Sequence, residues 1–316
     1  MEDNVLLRVE NLVKTFPGVS PDGKKEPFYA VDHVSFTIER GKTLGLVGES
    51  GSGKTTTGRT ILRLLEPDGG RIIFDGEDIT KKDMRPYRRR MQIIFQNPAG
   101  SLDPGLRVGR VISEGLTANK LAGSRKEAEE QAKKLLSDVG LSPEDAYRYP
   151  GEFSGGQQQR IGIARALAVD PEFIVCDEPV SALDVSYQAQ IVNMLEDLKE
   201  ERGISYLFIS HDLSVVMHIS DSIGVMYAGR IVELGSCEEI ALHPQHPYTR
   251  ALLSVIPIVD PIRAKARERR RIAFPEETIK GGCPYRLRCN EATPQCADTV
   301  PELKEISPGH LCACCK

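Results

Sequence analysis

The residues best suited to chemistry in this sequence lie at positions 48–55, which read GESGSGKT. This run matches the pattern G-x-x-x-x-G-K-[ST], in which bare backbone N–H groups surround the phosphates of a nucleotide. In such a loop Lys54 reaches the β- and γ-phosphates, and the Thr55 hydroxyl helps to hold Mg²⁺. Positions 43–47 form an apolar run typical of a buried strand, and positions 55–65 carry a helical apolar pattern. The sequence therefore predicts a phosphate site at the positive end of a helix dipole.

Two adjacent acidic residues, Asp177 and Glu178, follow an apolar run at positions 173–176 that is typical of a buried strand. Neighbouring carboxylates at a strand end repel each other unless a cation or a polarised water lies between them. Asp177 is therefore expected to hold Mg²⁺, and Glu178 to orient or deprotonate a water molecule. Gln96 follows a similar run at positions 91–95 and can contact a ligand, because strand ends border the binding crevice of α/β sheets.

A second predicted anion site lies at Ser154, Gly155, Gly156 and Gln157, where a serine and two glycines open a helical pattern. A hydroxyl and bare N–H groups at the positive end of a helix attract phosphate. One chain thus offers two phosphate-binding helix ends. If these lie far apart, a second copy or a partner must bring both kinds of site to one nucleotide.

Three further side chains are candidates for contact with a nucleotide. His211 follows a predicted strand at positions 203–210, and a histidine there could contact a γ-phosphate or the attacking water. Phe16 and Tyr29 are the aromatic residues nearest to where an adenine ring could stack. Phe16 is the preferred stacking platform, and Tyr29 remains the alternative.

Composition limits the class of protein. A chain of 316 residues has room for about two domains, and its net charge of −4 gives no general reason to expect a nucleic-acid partner. The basic stretch at positions 81–90 is interpreted as a solvated surface. No apolar run approaches the roughly 20 residues that span a bilayer, and the first residues do not resemble a signal peptide. A soluble, cytoplasmic protein is expected.

The positions between these motifs indicate how they are held. Apolar strand runs alternate with helical patterns, which predicts an α/β fold. Positions 102–142 are instead charged and helix-forming, with a predicted capping box at Ser124 and Glu127. This stretch is interpreted as part of a helical subdomain at about residues 100–160.

The ordered motifs resemble those of the nucleotide-binding subunits of ABC transporters over about residues 5–255. The resemblance implies a P-loop NTPase core with an antiparallel β subdomain and an α-helical subdomain. It also implies a head-to-tail dimer in which the phosphate loop of one subunit and the signature motif of the other enclose each ATP. The matching motifs are Walker A at positions 48–55, the Q-loop at Gln96, the signature at 153–157, Walker B with the catalytic glutamate at 177–178, the D-loop at 181–184 and the H-loop at His211.

The resemblance also implies residue roles. Glu178 is the catalytic base for attack of water on the γ-phosphate, His211 senses that phosphate, and Gln96 joins them as a catalytic residue. Thr55, Gln96 and Asp177 are the Mg²⁺ ligands. Phe153 departs mildly from the leucine that is usual at the first signature position. The implied nucleotide-binding residues are Phe16, Gly48, Ser50, Gly51, Ser52, Gly53, Lys54, Thr55, Thr56, Gln96, Ser154, Gly155, Gly156, Gln157, Asp177 and Asp184.

Positions 96–98, 101–104 and 246–253, with the cysteine-rich tail, are similar to the ATP-binding subunits of oligopeptide and dipeptide permeases. This finer resemblance implies a second ATPase subunit, identical or different, two transmembrane permease subunits and an extracytoplasmic substrate-binding protein. It places the chain peripherally at the cytoplasmic face of the cell (inner) membrane. Related systems carry nickel, glutathione or sugars, so the cargo stays open.

Two other functional classes are alternatives to a transport ATPase. Soluble ABC ATPases of DNA repair or translation carry either long coiled-coil insertions or two nucleotide domains in one chain. Neither pattern is present in this sequence. A phosphate-loop kinase or GTPase would lack the motif at positions 153–157 and the His211 position. The transport ATPase is therefore the adopted interpretation.

Six of the eight cysteines lie at or after position 283. In a reducing compartment such a cluster suggests a metal more than disulfides. The family resemblance assigns four of them to a [4Fe–4S] cluster, with zinc and unligated thiols as alternatives, and leaves two spare. The predicted domains are a nucleotide-binding domain at 1–255 and a cysteine-rich extension at 256–316. The assigned ligands are Cys283, Cys289, Cys296 and Cys314, and the spare thiols are Cys312 and Cys315.

Overall fold

The computed structural model describes residues 4–19, 25–181, 183–255 and 281–314. Cys315 and residues 256–280, which belong to the predicted extension, lie outside the described residues. The chain divides into two compact units. The first contains Met1–Leu7, Thr37–Thr43 and Ile73–Ile209, and the second contains Arg8–Phe36, Leu44–Ile72 and Ser210–Lys316.

Strands β1 (Val5–Val19), β2 (Lys25–Glu39), β4 (Gly69–Phe74) and β5 (Glu77–Asp78) form a sheet in the order β2–β1–β4–β5. The first two strands are longer than the runs that the sequence predicts as strands, positions 5–9 and 31–38. They continue through Asn11 and His33, whose φ angles are positive at 47° and 55°. The backbone N–H of Asn11 donates to Ser35 Oγ at 2.8 Å. The Ser35 hydroxyl thus satisfies the backbone N–H of Asn11, where the backbone departs from regular strand geometry. Apolar alternation in the sequence does not reveal such a contact.

The first unit contains parallel strands β6 (Met91–Ile94), β7 (Phe173–Asp177) and β8 (Ser205–Ser210). Strand β7 pairs with both neighbours. Every residue of β7 and β8 is buried, as expected for the interior of a parallel sheet. Because parallel strands share the direction of their carboxyl ends, the residues that follow β6 and β7 lie at the same edge of this sheet.

Most helices of the first unit lie within or overlap the predicted helical stretch at about residues 100–160. Ser124 Oγ accepts from Glu127 N at 3.2 Å and so caps its helix. The Glu127 carboxylate accepts from the N–H of Gly123 at 2.7 Å. The structure therefore forms one half of the predicted capping box, and the glutamate turns to the preceding residue. The helices are α2 (Pro98–Ser101), α3 (Val108–Ala118), α4 (Arg125–Asp138), α5 (Gly155–Leu167) and α6 (Val185–Arg202), with short 3₁₀ turns at Pro143–Tyr147 and Pro150–Glu152.

In the second unit, β3 (Thr43–Val47) pairs in parallel with β9 (Ser222–Tyr227). Strand β9 forms a hairpin with β10 (Arg230–Ser236), as the runs at positions 223–228 and 230–234 on either side of Gly229 predict. The C-terminal region continues this sheet. Strand β12 (His310–Cys312) pairs with β10, and β11 (Lys304–Ser307) pairs with β12, both antiparallel. No helix in the described part of the chain is long and apolar enough to cross a membrane. The helices are α1 (Lys54–Ile61), α7 (Leu213–Ile219), α8 (Cys237–Leu242), α9 (Pro247–Val255) and α10 (Gln295–Asp298).

Candidate active site

The phosphate loop, residues 48–55, connects β3 to α1 as the sequence predicts. Gly53 precedes the helix with φ of 104°, a conformation that glycine adopts without strain. Lys54 is the first helical residue and is 3% exposed. Its Nζ donates to the carbonyl oxygens of Gly48 at 2.7 Å and Glu49 at 2.8 Å. The lysine is therefore held against the backbone of the loop, and phosphate oxygens would compete for the same ammonium hydrogens.

Two glycines of the phosphate loop are required by the close approach of other backbone. A Cβ at Gly48 would lie 2.1 Å from Met226 O, and one at Gly53 would lie 2.1 Å from Ala30 O. Both distances are far below van der Waals contact, so any side chain would displace the loop or its neighbour. The remaining predicted phosphate-loop residues lie in the same loop or at the start of α1: Ser50, Gly51, Ser52, Thr55 and Thr56.

The acidic pair lies in the first unit. Strand β7 ends at Asp177, which is fully buried. Glu178 follows with φ of 47°, and its N–H donates to Ile209 O at 3.0 Å. A non-glycine residue in the left-handed region is uncommon and is held there only by its surroundings. Pairing with β8 supplies that constraint, and it fixes the chain direction where the carboxylates leave the strand.

Gln96 lies at the same edge of the sheet, as expected from the parallel strands. Its Nε2 donates to Glu178 Oε2 at 2.8 Å, although the two residues are 82 positions apart. The structure thus brings together two of the three predicted catalytic side chains. The amide contact orients the carboxylate that is expected to accept a proton from water.

The signature residues open α5 as predicted. Ser154 Oγ accepts from Gln157 N at 3.4 Å, and Gln157 Oε1 accepts from Ser154 N at 3.0 Å, which completes a capping box. Gly155 is exposed at the first helical position. A Cβ at Gly156 would lie 2.9 Å from the Tyr187 ring. The N-terminus of α5 is therefore fixed by its capping box, with Gly155 exposed and Gly156 packed against Tyr187.

Asp184, the predicted D-loop residue, caps α6. Its Oδ1 accepts from Tyr187 N at 3.1 Å and from Ser186 Oγ at 3.0 Å. The backbone hydrogen bond from Tyr187 is the largest cause that lowers the pKa of Asp184. Ala182 of the same motif lies outside the described residues. The visible role of Asp184 is structural, and its contact with a nucleotide remains a prediction.

Three predicted residues lie on the surface of the second unit. His211 directly follows β8 and is exposed. Phe16 is 37% exposed and Tyr29 is 46% exposed. Lys14 Nζ lies 5.7 Å from the centroid of the Phe16 ring. Both rings are partly exposed, so the geometry leaves the choice between them open.

The four cysteines assigned to a cluster line one small cavity of the second unit. Burial is the main cause that raises the pKa of Cys283 and of Cys289. Across the described residues, no group of three or more His, Cys, Asp or Glu side chains is placed to hold a metal ion. The cavity cysteines are Cys283, Cys289, Cys296 and Cys314.

Two side chains that the motifs did not reveal contact the phosphate loop through Glu49. The N–H of Glu49 donates to Tyr248 Oη at 2.9 Å. Arg288 donates to both carboxylate oxygens of Glu49, at 2.8 and 2.7 Å. Tyr248 and Arg288 are called the Glu49 clamp below. They lie 199 and 239 positions from Glu49, so no local pattern could have indicated the contact.

Comparison with known families supports the motif analysis. A family model described as "ABC transporter" matches residues 31–181. A second, described as "Oligopeptide/dipeptide transporter, C-terminal region", matches residues 232–296. Two solved structures share the fold. CbiO1 of Clostridium perfringens is 27% identical with a TM-score of 0.65, covering 75% of this chain and 90% of that one. The cassette MJ0796, a dimer bound to ADP and Pi, is 28% identical with a TM-score of 0.65, covering 73% and 99%.

The fold and the motifs thus define an ABC-type ATPase, an enzyme that hydrolyses ATP. The chain belongs to the ABC transporter family and carries the C-terminal region of its oligopeptide/dipeptide group. A Brucella ovis protein named for peptide import and ATP binding is 51% identical over 99% of this chain and 98% of that one. The oligopeptide transport ATP-binding protein OppF of Bacillus subtilis is 49% identical over 98% and 96%. Both resemblances inferred from the motifs are confirmed.

Proposed function

We propose that this chain is the ATP-hydrolysing subunit of an importer for oligopeptides or dipeptides. The observation that carries the proposal is identity of about one half along nearly the whole chain, 51% and 49%, to proteins named for peptide import and oligopeptide transport. The match extends through the C-terminal region, which is described by the same transport class. The peptide cargo is therefore assigned from these named relatives. ATP hydrolysis is assigned from membership of the ABC transporter family.

The proposed chemistry is in-line attack of water on the γ-phosphate, which breaks the bond between the γ-phosphorus and the bridging oxygen and releases ADP and inorganic phosphate. Lys54 binds the β- and γ-phosphates, Glu178 accepts the proton of the attacking water, and Gln96 orients that carboxylate. His211 contacts the γ-phosphate. The hydrogen bond between Gln96 and Glu178, at 2.8 Å, supports this division of roles. The proposed adenine platform is Phe16, with Tyr29 as the alternative.

Mg²⁺ is the expected metal of this chemistry, and it prefers oxygen ligands. Asp177 offers a fully buried carboxylate at a strand end, and Thr55 offers a hydroxyl in the first turn of α1. Gln96 adds an amide oxygen. Oxygen donors are the type that Mg²⁺ prefers, and we propose these three residues as its ligands because the family resemblance implies them. Bound Mg²⁺ would neutralise charge that develops on the transferred phosphoryl group.

We further propose that the signature residues Ser154, Gly155, Gly156 and Gln157, with Asp184, act on the nucleotide of a second ATPase subunit. What supports this is the presence of two phosphate-type helix ends in one chain, together with relatedness to a cassette solved as a dimer. Two permease subunits and an extracytoplasmic binding protein would complete the importer, with this chain at the cytoplasmic face of the membrane. No nucleic-acid partner is expected.

Isolation from detergent-solubilised native membranes, followed by mass spectrometry, tests the assembly. We expect two polytopic membrane proteins, an ATPase partner and a binding protein, whose retained ligand names the cargo. Retention of nickel, glutathione or a sugar would replace the peptide assignment. Recovery of ribosomes or DNA-associated proteins would overturn the transport proposal.

The ATP site is tested with Lys54→Ala in the full-length chain. We expect loss of nucleotide binding or hydrolysis, because the ammonium that neutralises the phosphates is removed. Normal ATP turnover by the variant would contradict the assignment of the phosphate loop.

We also keep the [4Fe–4S] cluster as a proposal, supported by the common cavity of Cys283, Cys289, Cys296 and Cys314. No described group of three side chains is placed to hold a single metal ion, so the proposal rests on the shared cavity alone. Anaerobic purification with iron, acid-labile sulfide and zinc assays decides between a cluster, zinc and free thiols. Absence of iron and sulfide would overturn the cluster.

A further inference from the structure

The Glu49 clamp is itself held by packed aromatic rings of the second unit. The Tyr248 ring lies 4.7 Å from that of Tyr227 and 5.3 Å from that of Tyr285, measured between centroids. The Arg288 guanidinium lies 5.7 Å from the centroids of both Tyr227 and Tyr285, and its side chain is 7% exposed. A planar guanidinium fixed in this way retains little freedom, so it loses little entropy when it binds a carboxylate.

The Glu49 clamp is connected to Lys54, the lysine proposed to bind phosphate, through a single residue, Glu49. Arg288 and Tyr248 bind the carboxylate and the N–H of Glu49, and the carbonyl of Glu49 accepts from Lys54 Nζ at 2.8 Å. Any displacement of Glu49 therefore changes a hydrogen-bond partner of Lys54. The position of the lysine depends on residues that lie in the C-terminal region.

Charge gives the Glu49 clamp a second effect. Glu49 places a carboxylate in a loop that binds phosphates, where an uncompensated negative charge would repel the nucleotide. Arg288 pairs with both of its oxygens, and the hydrogen bond to Glu49 is the main cause that raises the pKa of Arg288. The guanidinium stays charged, so the pair has no net charge beside the phosphate site.

We propose that Arg288 is a positioning residue for ATP binding, through which the C-terminal region orients the phosphate loop and neutralises Glu49. The inference rests on the proposed role of residues 48–55 as the ATP site. It implies that the C-terminal region contributes to ATP binding.

Arg288→Ala tests the inference by equilibrium ATP binding to the full-length chain that also carries Glu178→Gln, which prevents turnover. We expect the Kd for ATP to rise about tenfold at low salt, because the Glu49 carboxylate is left uncompensated. The increase should shrink at high salt, where charge repulsion is screened. Arg288→Lys keeps the charge but loses the paired geometry, and it should give an intermediate Kd.

Arg286→Ala is the matched control. Arg286 lies two positions away in the same segment and donates to Gly281 O. Its removal should leave the Kd for ATP unchanged. Thermal unfolding of each variant reports whether the fold is retained, and Arg288→Lys serves if Arg288→Ala does not fold.

The double variant Glu49→Ala with Arg288→Ala separates charge from general damage. Removing the carboxylate should restore most of the ATP affinity that Arg288→Ala loses. An unchanged Kd in Arg288→Ala, or a double variant that binds no better than Arg288→Ala, would overturn the inference. Lys54→Ala is measured in parallel with Glu178 intact: normal ATP turnover by that variant would mean that the proposed ATP site fails, whereas an unchanged Kd in Arg288→Ala alone would mean that only this inference fails.

Discussion

The side-chain amide of Gln96 donates a 2.8 Å hydrogen bond to the carboxylate of Glu178. The two residues follow neighbouring parallel strands, β6 and β7, whose register pairs Ile94 with Cys176. Glu178 is thus expected to deprotonate water, and Gln96 is expected to orient the Glu178 carboxylate. This contact gives two proposed catalytic residues of the first unit a geometry that can be tested by substitution.

Gln96→Ala should lower kcat for ATP hydrolysis by about 10- to 100-fold, because the Glu178 carboxylate loses its orienting donor. Gln96→Glu should cost more, since a second carboxylate would replace a donor and repel Glu178. Steady-state ATPase assays of the two variants check the order. Equal activity of Gln96→Glu and the unmodified protein would show that the hydrogen bond has no part in turnover.

Glu178→Gln should retain ATP binding and lower hydrolysis by about 100-fold or more, because an amide cannot accept the proton of the attacking water. The nucleotide-bound dimer should accumulate, which size-exclusion chromatography with ATP and Mg²⁺ detects. Full turnover by the variant would contradict the assigned base.

Gly156→Ala should destabilise the first unit by about 1–3 kcal/mol, because the new Cβ would lie 2.9 Å from the Tyr187 ring. Gly155→Ala is the matched control, since a Cβ there meets nothing within 4 Å. Alanine favours a helix over glycine by up to about 1 kcal/mol, so the control should keep or raise the melting temperature. Thermal unfolding measures both variants. Equal melting temperatures for Gly156→Ala and Gly155→Ala would show that the Tyr187 ring moves aside without loss of stability.

Glu172→Gln tests a charge network of the first unit by pH. Hydrogen bonding from Arg90 is the main cause that lowers the pKa of Glu172, and Arg40 adds to it. A lowered pKa in the folded state stabilises the protein above the unfolded pKa, and this stabilisation is lost as pH falls through the folded pKa. Because the side chain is 38% exposed, the variant should be less stable by only about 1 kcal/mol at pH 7.

The difference between Glu172→Gln and the unmodified protein should disappear below the folded pKa of Glu172, where the unmodified carboxyl is also neutral. Urea unfolding from neutral to acidic pH measures it. Glu201→Gln, at an exposed position in α6, is the control and should change stability by less than about 0.5 kcal/mol at either pH. A pH-independent difference for Glu172→Gln would exclude the ion pair as its source.

Local patterns predicted the elements that carry the motifs. The strand at Thr43–Val47 has the predicted bounds, and α5 opens at the predicted serine and glycines. These elements are encoded by short-range signals, namely apolar runs, caps and glycines, which act within a few residues. The long strands β1 and β2 were predicted too short, because each continues through a residue with positive φ, Asn11 or His33, that a pattern of apolar alternation does not predict.

The sequence by itself determined the family, the phosphate loop, the acidic pair and the signature helix, because each consists of neighbouring residues with fixed chemistry. Only the tertiary structure decided which distant side chains complete them. The bond between Gln96 and Glu178 depends on strand pairing across 82 positions, and that between Glu49 and Arg288 on packing across 239 positions. Such contacts arise from the register of strands and the packing of rings, and a local pattern carries no record of either.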